Sequence, residues 1–245
     1  MDFIEFPKIA RLSRDIVITE KLDGTNAQVL IMPDDTGGVA YSGAADERVA
    51  TVGNYLVFAG SRSRWVTPEQ DNYGFAAWVR EHAYELFDAL GEGQHFGEWW
   101  GRGIQRNYSQ TERHFSLFNT KRWGTHYNDK GRVGPCRVVP TLYKGPLEDH
   151  GVMKGLRFAM TQLQNGGSAA APGFMKPEGV VIYHPQGNVL FKKTLEKDEE
   201  PKSKASALGE LLTMPFPTRD QLEKMAQQVA DDEWPGATQA AEGGR

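Results

Sequence analysis

The stretch Asp15-Ile16-Val17-Ile18-Thr19-Glu20-Lys21-Leu22-Asp23-Gly24-Thr25-Asn26 decides how this chain is read. Its β-branched run, Ile16 to Thr19, fits a pleated, half-buried strand. The strand delivers Glu20 and Lys21 to its end. Asp23-Gly24 then turns the chain, since glycine accepts φ > 0 at little steric cost. A lysine at a strand end beside a tight turn is partly desolvated. Desolvation favours the neutral amine, and the neutral amine is a nucleophile. Taken alone, the same residues also describe a hairpin with a surface lysine, so the rest of the chain has to choose.

Working outward, strands are expected over 15–20 and 26–32, with further strands within 39–62. Thr67-Pro68-Glu69 predicts a helix start, with threonine as cap, proline at the first helical position and an acid in the first turn. Phe75, Val79, Ala83, Leu86 and Leu90 then mark one helical face that ends at Gly91. His82 borders that face and reads as packing. Residues 94–98 and 115–118 predict short core strands, 137–142 another strand, and 147–163 an amphipathic helix. The Gly-, Ser- and Ala-rich stretch 165–173 reads as a flexible loop. Strands 179–183 and 189–193 follow. Thr218 caps a last expected helix over 219–230, and the small polar stretch 235–245 predicts a disordered tail. Residues 1–200 thus form the expected main domain, 201–234 a short helical appendage, and 235–245 the tail.

The 245 residues allow one large domain, or one with a small appendage. With 39% hydrophobic and 24% charged residues the chain has an ordinary globular composition. It contains no run of about 18 apolar residues, so no spanning helix is expected. Its first residues lack the basic-then-apolar pattern of a secretory leader. Cys136 stands alone, which excludes an intrachain disulfide framework and a cysteine-rich zinc site. These features predict a cytoplasmic protein without a membrane partner. The net charge of −4 argues against a general polyanion binder, yet binding depends on local patches. Acids gather in 196–200 and 231–233. Basic residues collect at Arg62/Arg64, Arg102/Arg106, Lys121/Arg122 and Lys192/Lys193. That asymmetry predicts a basic cleft in an acidic body.

Four segments follow the lysine in order: Gly60-Ser61-Arg62-Ser63-Arg64-Trp65, Phe96-Gly97-Glu98-Trp99-Trp100-Gly101-Arg102-Gly103-Ile104-Gln105, Glu178-Gly179-Val180-Val181-Ile182-Tyr183 and Leu190-Phe191-Lys192-Lys193-Thr194. Together with Glu20-Lys21-Leu22-Asp23-Gly24 they resemble the collinear motifs of the covalent nucleotidyltransferase superfamily. The nearest resemblance, over roughly residues 15 to 197, is to ATP-dependent RNA ligases of the double-strand-repair type. It implies an α+β, grasp-like nucleotidyltransferase domain of antiparallel sheets flanked by helices. No C-terminal oligonucleotide-binding barrel is evident, because only about 50 residues follow Thr194 and they read as helical.

The resemblance also implies roles. Lys21 would take AMP from ATP and pass it to a 5′-phosphate, after which a 3′-hydroxyl end is joined and AMP leaves. Glu178 would position Mg²⁺ or Mn²⁺, for which carboxylate oxygens are suitable ligands. Lys192 would bind phosphate during catalysis. Glu20, Asn26, Arg62, Glu98, Phe118, Lys192 and Thr194 would contact ATP. Within that set Glu98 would accept from the ribose hydroxyls and Phe118 would stack on adenine. Arg64 is an alternative to Arg62, since alternate residues share a strand face. Phe118 read alone is also a plain core phenylalanine. Arg64, Arg102 and Lys193 would meet nucleic acid, with RNA the expected partner. The chain shows Lys192-Lys193-Thr194 where the family commonly has Lys-x-Lys. Strand alternation therefore predicts Thr194 on the face of Lys192, and Lys193 pointing away. Competing readings are a small ATP-dependent DNA ligase, a capping-type guanylyltransferase and a non-catalytic nucleic-acid-binding relative.

Overall fold

The computed structural model describes residues 9–34, 47–124, 132–147 and 153–196. The expected helix over 219–230, the appendage 201–234 and the tail 235–245 lie outside these residues. The architecture is α+β, with two largely antiparallel sheets and few helices, and the described residues form no closed barrel. No helix among them is long and apolar enough to cross a membrane.

The first sheet has the order β11-β10-β1-β9. Its strands are β1 (Asp15–Lys21), β9 (Thr141–Pro146), β10 (Gly179–His184) and β11 (Val189–Thr194). Ile16 and Ile18 of β1 join Val180 and Ile182 of β10 against Ala159 and Leu163 of α4 (Lys154–Gly166). Full burial of each large apolar side chain contributes about 1.5–3 kcal/mol, which holds the period-two alternation in one register. The other face of this sheet carries Thr19, Lys21 and Val181.

The second sheet runs β3-β4-β2-β6-β7-β8, with β5 paired to β4. It comprises β2 (Thr25–Pro33), β3 (Arg48–Val52), β4 (Tyr55–Gly60), β5 (Trp65–Val66), β6 (Gly93–Gly101), β7 (Arg113–Leu117) and β8 (Arg137–Val138). Ala27, Val29, Ile31, Trp99 and Phe115 point to helices α1 (Phe75–Glu81) and α2 (Ala83–Leu90), forming the larger core. A short helix α3 (Thr120–Trp123) follows β7, with Asn119 capping it through its side chain.

Four local expectations change. Thr67-Pro68-Glu69 opens only a 3-10 turn, Pro68–Gln70; the N-cap of α1 is Gly74, and its first amides are satisfied from upstream by the Asp71 carboxylate, which accepts from Ala76 and Ala77 at 2.8 and 3.0 Å. The single helix expected from there to Gly91 is two, divided at His82, whose ring stacks on Trp78. The strand expected over 137–142 is divided at Val139-Pro140, and its halves belong to different sheets. Proline has no amide hydrogen to continue a ladder, which suits the point where the chain changes sheets. Finally, the stretch expected as a flexible loop over 165–173 is anchored: α4 runs to Gly166, and Ser168 and Ala171 are buried.

Candidate active site

β1 and β2 are consecutive in sequence but belong to different sheets, so Leu22-Asp23-Gly24 is a crossing and the hairpin alternative falls. The turn also needs its glycine for a different reason from the one expected. Gly24 does not adopt positive φ. A Cβ there would instead sit 2.4 Å from the Trp99 carbonyl oxygen and 2.8 Å from Trp100 Cβ. The missing side chain lets β6 pass close enough for Glu98 Oε1 to accept from the Gly24 amide at 3.0 Å. Leu22, Trp100, Tyr108, Val139 and Ala171 form a small core beneath the crossing.

Lys21 ends β1 with its amine donating to Glu178 Oε2 at 2.5 Å, and both side chains are mostly shielded from solvent. The amine is thus partly desolvated, as expected at a strand end beside a turn, and it is paired with a carboxylate. Glu178 directly precedes β10, and its carbonyl accepts from the Leu195 amide at 2.8 Å. The strand pairing sets what stands beside the lysine. Lys21 lies opposite Gly179, and Gly179 opposite Thr194; Thr19 lies opposite Val181, and Val181 opposite Lys192. Lys192 and Thr194 therefore share the sheet face of Lys21. Lys193 pairs with Val180 and lies on the α4 face. The Thr194 hydroxyl donates to the Glu196 carbonyl oxygen at 2.9 Å.

The second sheet brings its own set. Asn26 and Glu98 are direct cross-strand partners, and Glu98 pairs in turn with Ser116, so all three share the face turned away from the helices. Phe118 follows β7 on that same alternation, 39% exposed, with its amide donating to the Phe96 carbonyl oxygen. Phe115 points the other way, fully into the core. Exposed on the face that also carries Glu98, Phe118 is not a core residue. Burial pushes the Glu98 carboxyl up to about 7, and the charges of Glu178 and Asp23 push in the same direction; Lys21 and the Gly24 amide oppose them. The charges of both sheets thus meet at one point.

Comparison with known proteins bears on this arrangement. The family model of RNA ligase matches residues 14–195. The chain belongs to the RNA ligase family. Among solved structures, it resembles a point variant of Naegleria gruberi RNA ligase with ATP and Mn, at 20% identity and a TM-score of 0.50, over 76% of this chain and 51% of that one. A second variant of that ligase, with AMP and Mn, gives 19% identity and a TM-score of 0.50, over 75% and 50% of the two chains. At that identity the likeness is one of fold, and this chain spans about half the length of the structures it matches. A comparison with curated protein sequences finds no match.

Within this RNA ligase family member, several expected residues stand apart from Lys21. Glu20 alternates to the opposite face of β1 and is 1% exposed. Its Oε2 accepts from the amides of Ala169 and Ala170 at 2.8 and 2.9 Å. Its carboxylate therefore anchors the loop after α4 and lies on the face of β1 opposite Lys21. Burial pushes this carboxyl above its ordinary value, offset in part by the Ser168 hydroxyl and the two amides. Arg62 and Arg64 are not on a strand, so face-sharing does not apply to them. They sit on an exposed turn between β4 and β5, closed by the Ser61 amide donating to the Arg64 carbonyl oxygen at 2.8 Å. Arg64 donates to the carbonyl oxygens of Trp65 and Gln70. Arg62 makes no hydrogen bond or ion pair among the described residues, and its turn is held to β2 by Gln28 donating to the Ser61 carbonyl oxygen at 3.0 Å. Arg102 lines a separate cavity of about 870 Å³ with Trp78, His82, Glu112 and His114, in which Lys21, Glu98 and Glu178 take no part.

Two residues meet the crossing in a way the sequence reading did not foresee: Arg106, noted there only as part of a basic pair, and Tyr108. Arg106 Nε donates to Asp23 Oδ2 at 2.9 Å, and the Asp23 amide donates to the Tyr108 hydroxyl oxygen at 2.9 Å. The only signal was the basic and aromatic content of the segment after Gly103-Ile104-Gln105. No spacing rule links it to a turn more than 80 residues away.

Proposed function

We propose that this chain is an ATP-dependent RNA ligase that joins a 3′-hydroxyl to a 5′-phosphate through a lysyl-AMP intermediate. The observation that carries the reading is the Lys21–Glu178 pair, flanked by Lys192 on its own sheet and by Glu98, Asn26 and Phe118 on the other. An amine, carboxylates, a cation and an exposed aromatic ring are what transfer of an adenylyl group requires.

Lys21 Nζ attacks the α-phosphorus of ATP. An N–P bond forms, the bond to the bridging oxygen breaks, and pyrophosphate leaves. The attacking nitrogen must first lose a proton, and Glu178 Oε2 is in place to accept it. Lys192 places positive charge on the nucleotide side of β11. Phe118 offers its face to the adenine, and such stacking contributes about 1–3 kcal/mol per base. Glu98 accepts from the ribose hydroxyls, an interaction that favours its ionised form. In the second step a 5′-phosphate oxygen attacks the same phosphorus, and the N–P bond breaks to return the amine. In the third the 3′-hydroxyl attacks the 5′-phosphorus and AMP leaves.

The residues present fit a divalent cation. Described residues hold no cluster of three ligating side chains. A hexacoordinate ion such as Mg²⁺ needs fewer, since it keeps several waters and uses one or two carboxylates with substrate phosphates. Glu178 would hold it, and bound there it would neutralise charge on the α-phosphate and the leaving pyrophosphate.

The test is end joining on nicked duplexes that carry RNA or DNA at the break, with ATP or GTP as donor. Sealing with ATP at RNA ends supports the reading. Sealing confined to DNA ends, or labelling with GTP alone, would replace it with one of the related activities.

A further inference from the structure

The segment 101–110 is an unusual piece of backbone. Gln105, Asn107, Tyr108 and Ser109 all have positive φ, between 43° and 61°. Four non-glycine residues in the left-handed region are unfavourable, and such strain persists only where surrounding contacts over-determine it. Those contacts are visible. Ile104 and Tyr108 are fully buried, and the Gly103 amide donates to Asn107 Oδ1 at 2.8 Å. Tyr108 packs against Trp100 and, at 4.7 Å between ring centres, against Phe174. Between the buried Ile104 and Tyr108 the segment holds Arg106, whose side chain is half-buried while its neighbours Gln105 and Asn107 are exposed.

Its guanidinium makes two bonds in two directions. Nε donates to Asp23 Oδ2 at 2.9 Å, two residues after Lys21. Nη1 donates to the Lys176 carbonyl oxygen at 3.0 Å, two residues before Glu178. The same planar group thus grips the turn that follows the nucleophile and the segment that delivers its carboxylate partner. Lys21 and Glu178 come from positions 157 apart in the chain; the ladder between β1 and β10 ends at the Lys21–Gly179 pair, so their side-chain contact also depends on how the segments just beyond that pair, which carry Asp23 and Lys176, are held. A planar, five-donor fork can hold two acceptors at a fixed angle, whereas an ammonium group acts as a single point charge.

We propose that Arg106 is a positioning residue for adenylyl transfer, holding the segments that flank Lys21 and Glu178, and so the contact between the two side chains, from both sides at once. This rests on the reading of Lys21 as the adenylylated residue. Arg106 acts through its two partners, so its loss should slow the chemical step while leaving nucleotide affinity largely intact. A misplacement of reacting groups by about 1 Å costs about 10²-fold in rate, and that is the scale expected here.

Three readouts test it in the full chain. Single-turnover lysyl-AMP formation at saturating ATP should fall by about 10²-fold in Arg106→Ala, the scale of lost positioning, with the ATP concentration for half-maximal rate little changed. Arg106→Lys should recover only a minor part of the rate, since it cannot hold both acceptors. In an Glu178→Ala background, Arg106→Ala should add little further loss, because the partner it positions is gone. Zero-length carbodiimide crosslinking reads the contact without any activity: the Lys21–Glu178 isopeptide should form in the wild-type protein and drop several-fold in both Arg106 variants. Thermal melting identifies a variant that is simply unfolded, and Arg106→Lys then carries the test. Wild-type rate in Arg106→Lys, losses that multiply with Glu178→Ala, or undiminished crosslinking would overturn the proposal. So would a defect confined to sealing, which would put Arg106 on the nucleic acid. A wild-type protein that crosslinks but forms no lysyl-AMP would count against the ligase mechanism and not against the contact.

Discussion

Glu98→Gln tests the electrostatics of the site without any ligand. Burial holds the Glu98 carboxyl at about 7 against an ordinary value of 4.5. Below pH 4.5 the proton is present in the folded and unfolded chain alike, and the group has no effect. Between 4.5 and about 7 the unfolded chain ionises while the folded one keeps its proton, so the contribution of Glu98 to stability falls as pH rises. Above 7 the penalty is complete. A displacement of that size corresponds to about 3 kcal/mol at about 1.4 kcal/mol per pH unit. Glutamine cannot ionise and still accepts from the Gly24 amide, so the variant escapes the penalty. Urea unfolding, followed by tryptophan fluorescence from pH 4.5 to 8, should show the variant gaining on the wild type by about 3 kcal/mol across the window. A difference that stays flat with pH would refute the reasoning, and Glu98 would then be an ordinary solvated carboxylate.

The remaining predictions concern catalysis. Glu178→Ala should slow adenylylation by about 10²–10³-fold, the usual cost of removing a positioned electrostatic group, and should weaken its dependence on Mg²⁺; a normal metal titration would remove Glu178 from the metal role. Lys192→Ala should abolish single-turnover adenylylation while Lys193→Ala leaves most of it, because only Lys192 shares the face of Lys21. Thr194→Lys should be tolerated, since it adds a cation on the side that binds phosphate. Severe loss in Lys193→Ala with little in Lys192→Ala would show that the face assignment does not govern binding.

Much of this arrangement is legible from period-two alternation alone. Ile16 and Ile18 bury themselves, so Lys21 must lie on the open face, and the same rule sorts Lys192 and Thr194 from Lys193 and Phe118 from Phe115. Alternation applied to Glu20 would also have placed it opposite Lys21, a consequence overlooked because the motif groups the two residues together. What alternation cannot supply is which sheet a strand joins. Residues 137–142 look like one strand, yet Pro140 marks the exchange between sheets. Composition misleads in a similar way at 167–171, where small residues suggested mobility but Glu20 supplies the hydrogen-bond acceptor that fixes the loop. Ser61 to Arg64 failed for the opposite reason: alternation was assumed where the chain is a turn. The Arg106 bridge was out of reach, since it links three segments distant in sequence through a strained loop.

The central claim is that Lys21 carries AMP. The direct measurement is intact mass after incubation with ATP and Mg²⁺, followed by peptide mapping. One AMP adduct on Lys21, lost in Lys21→Ala and reversed by added pyrophosphate, is the result this account predicts. An adduct that survives in Lys21→Ala, or its absence from a wild-type protein that still seals RNA ends, would contradict it.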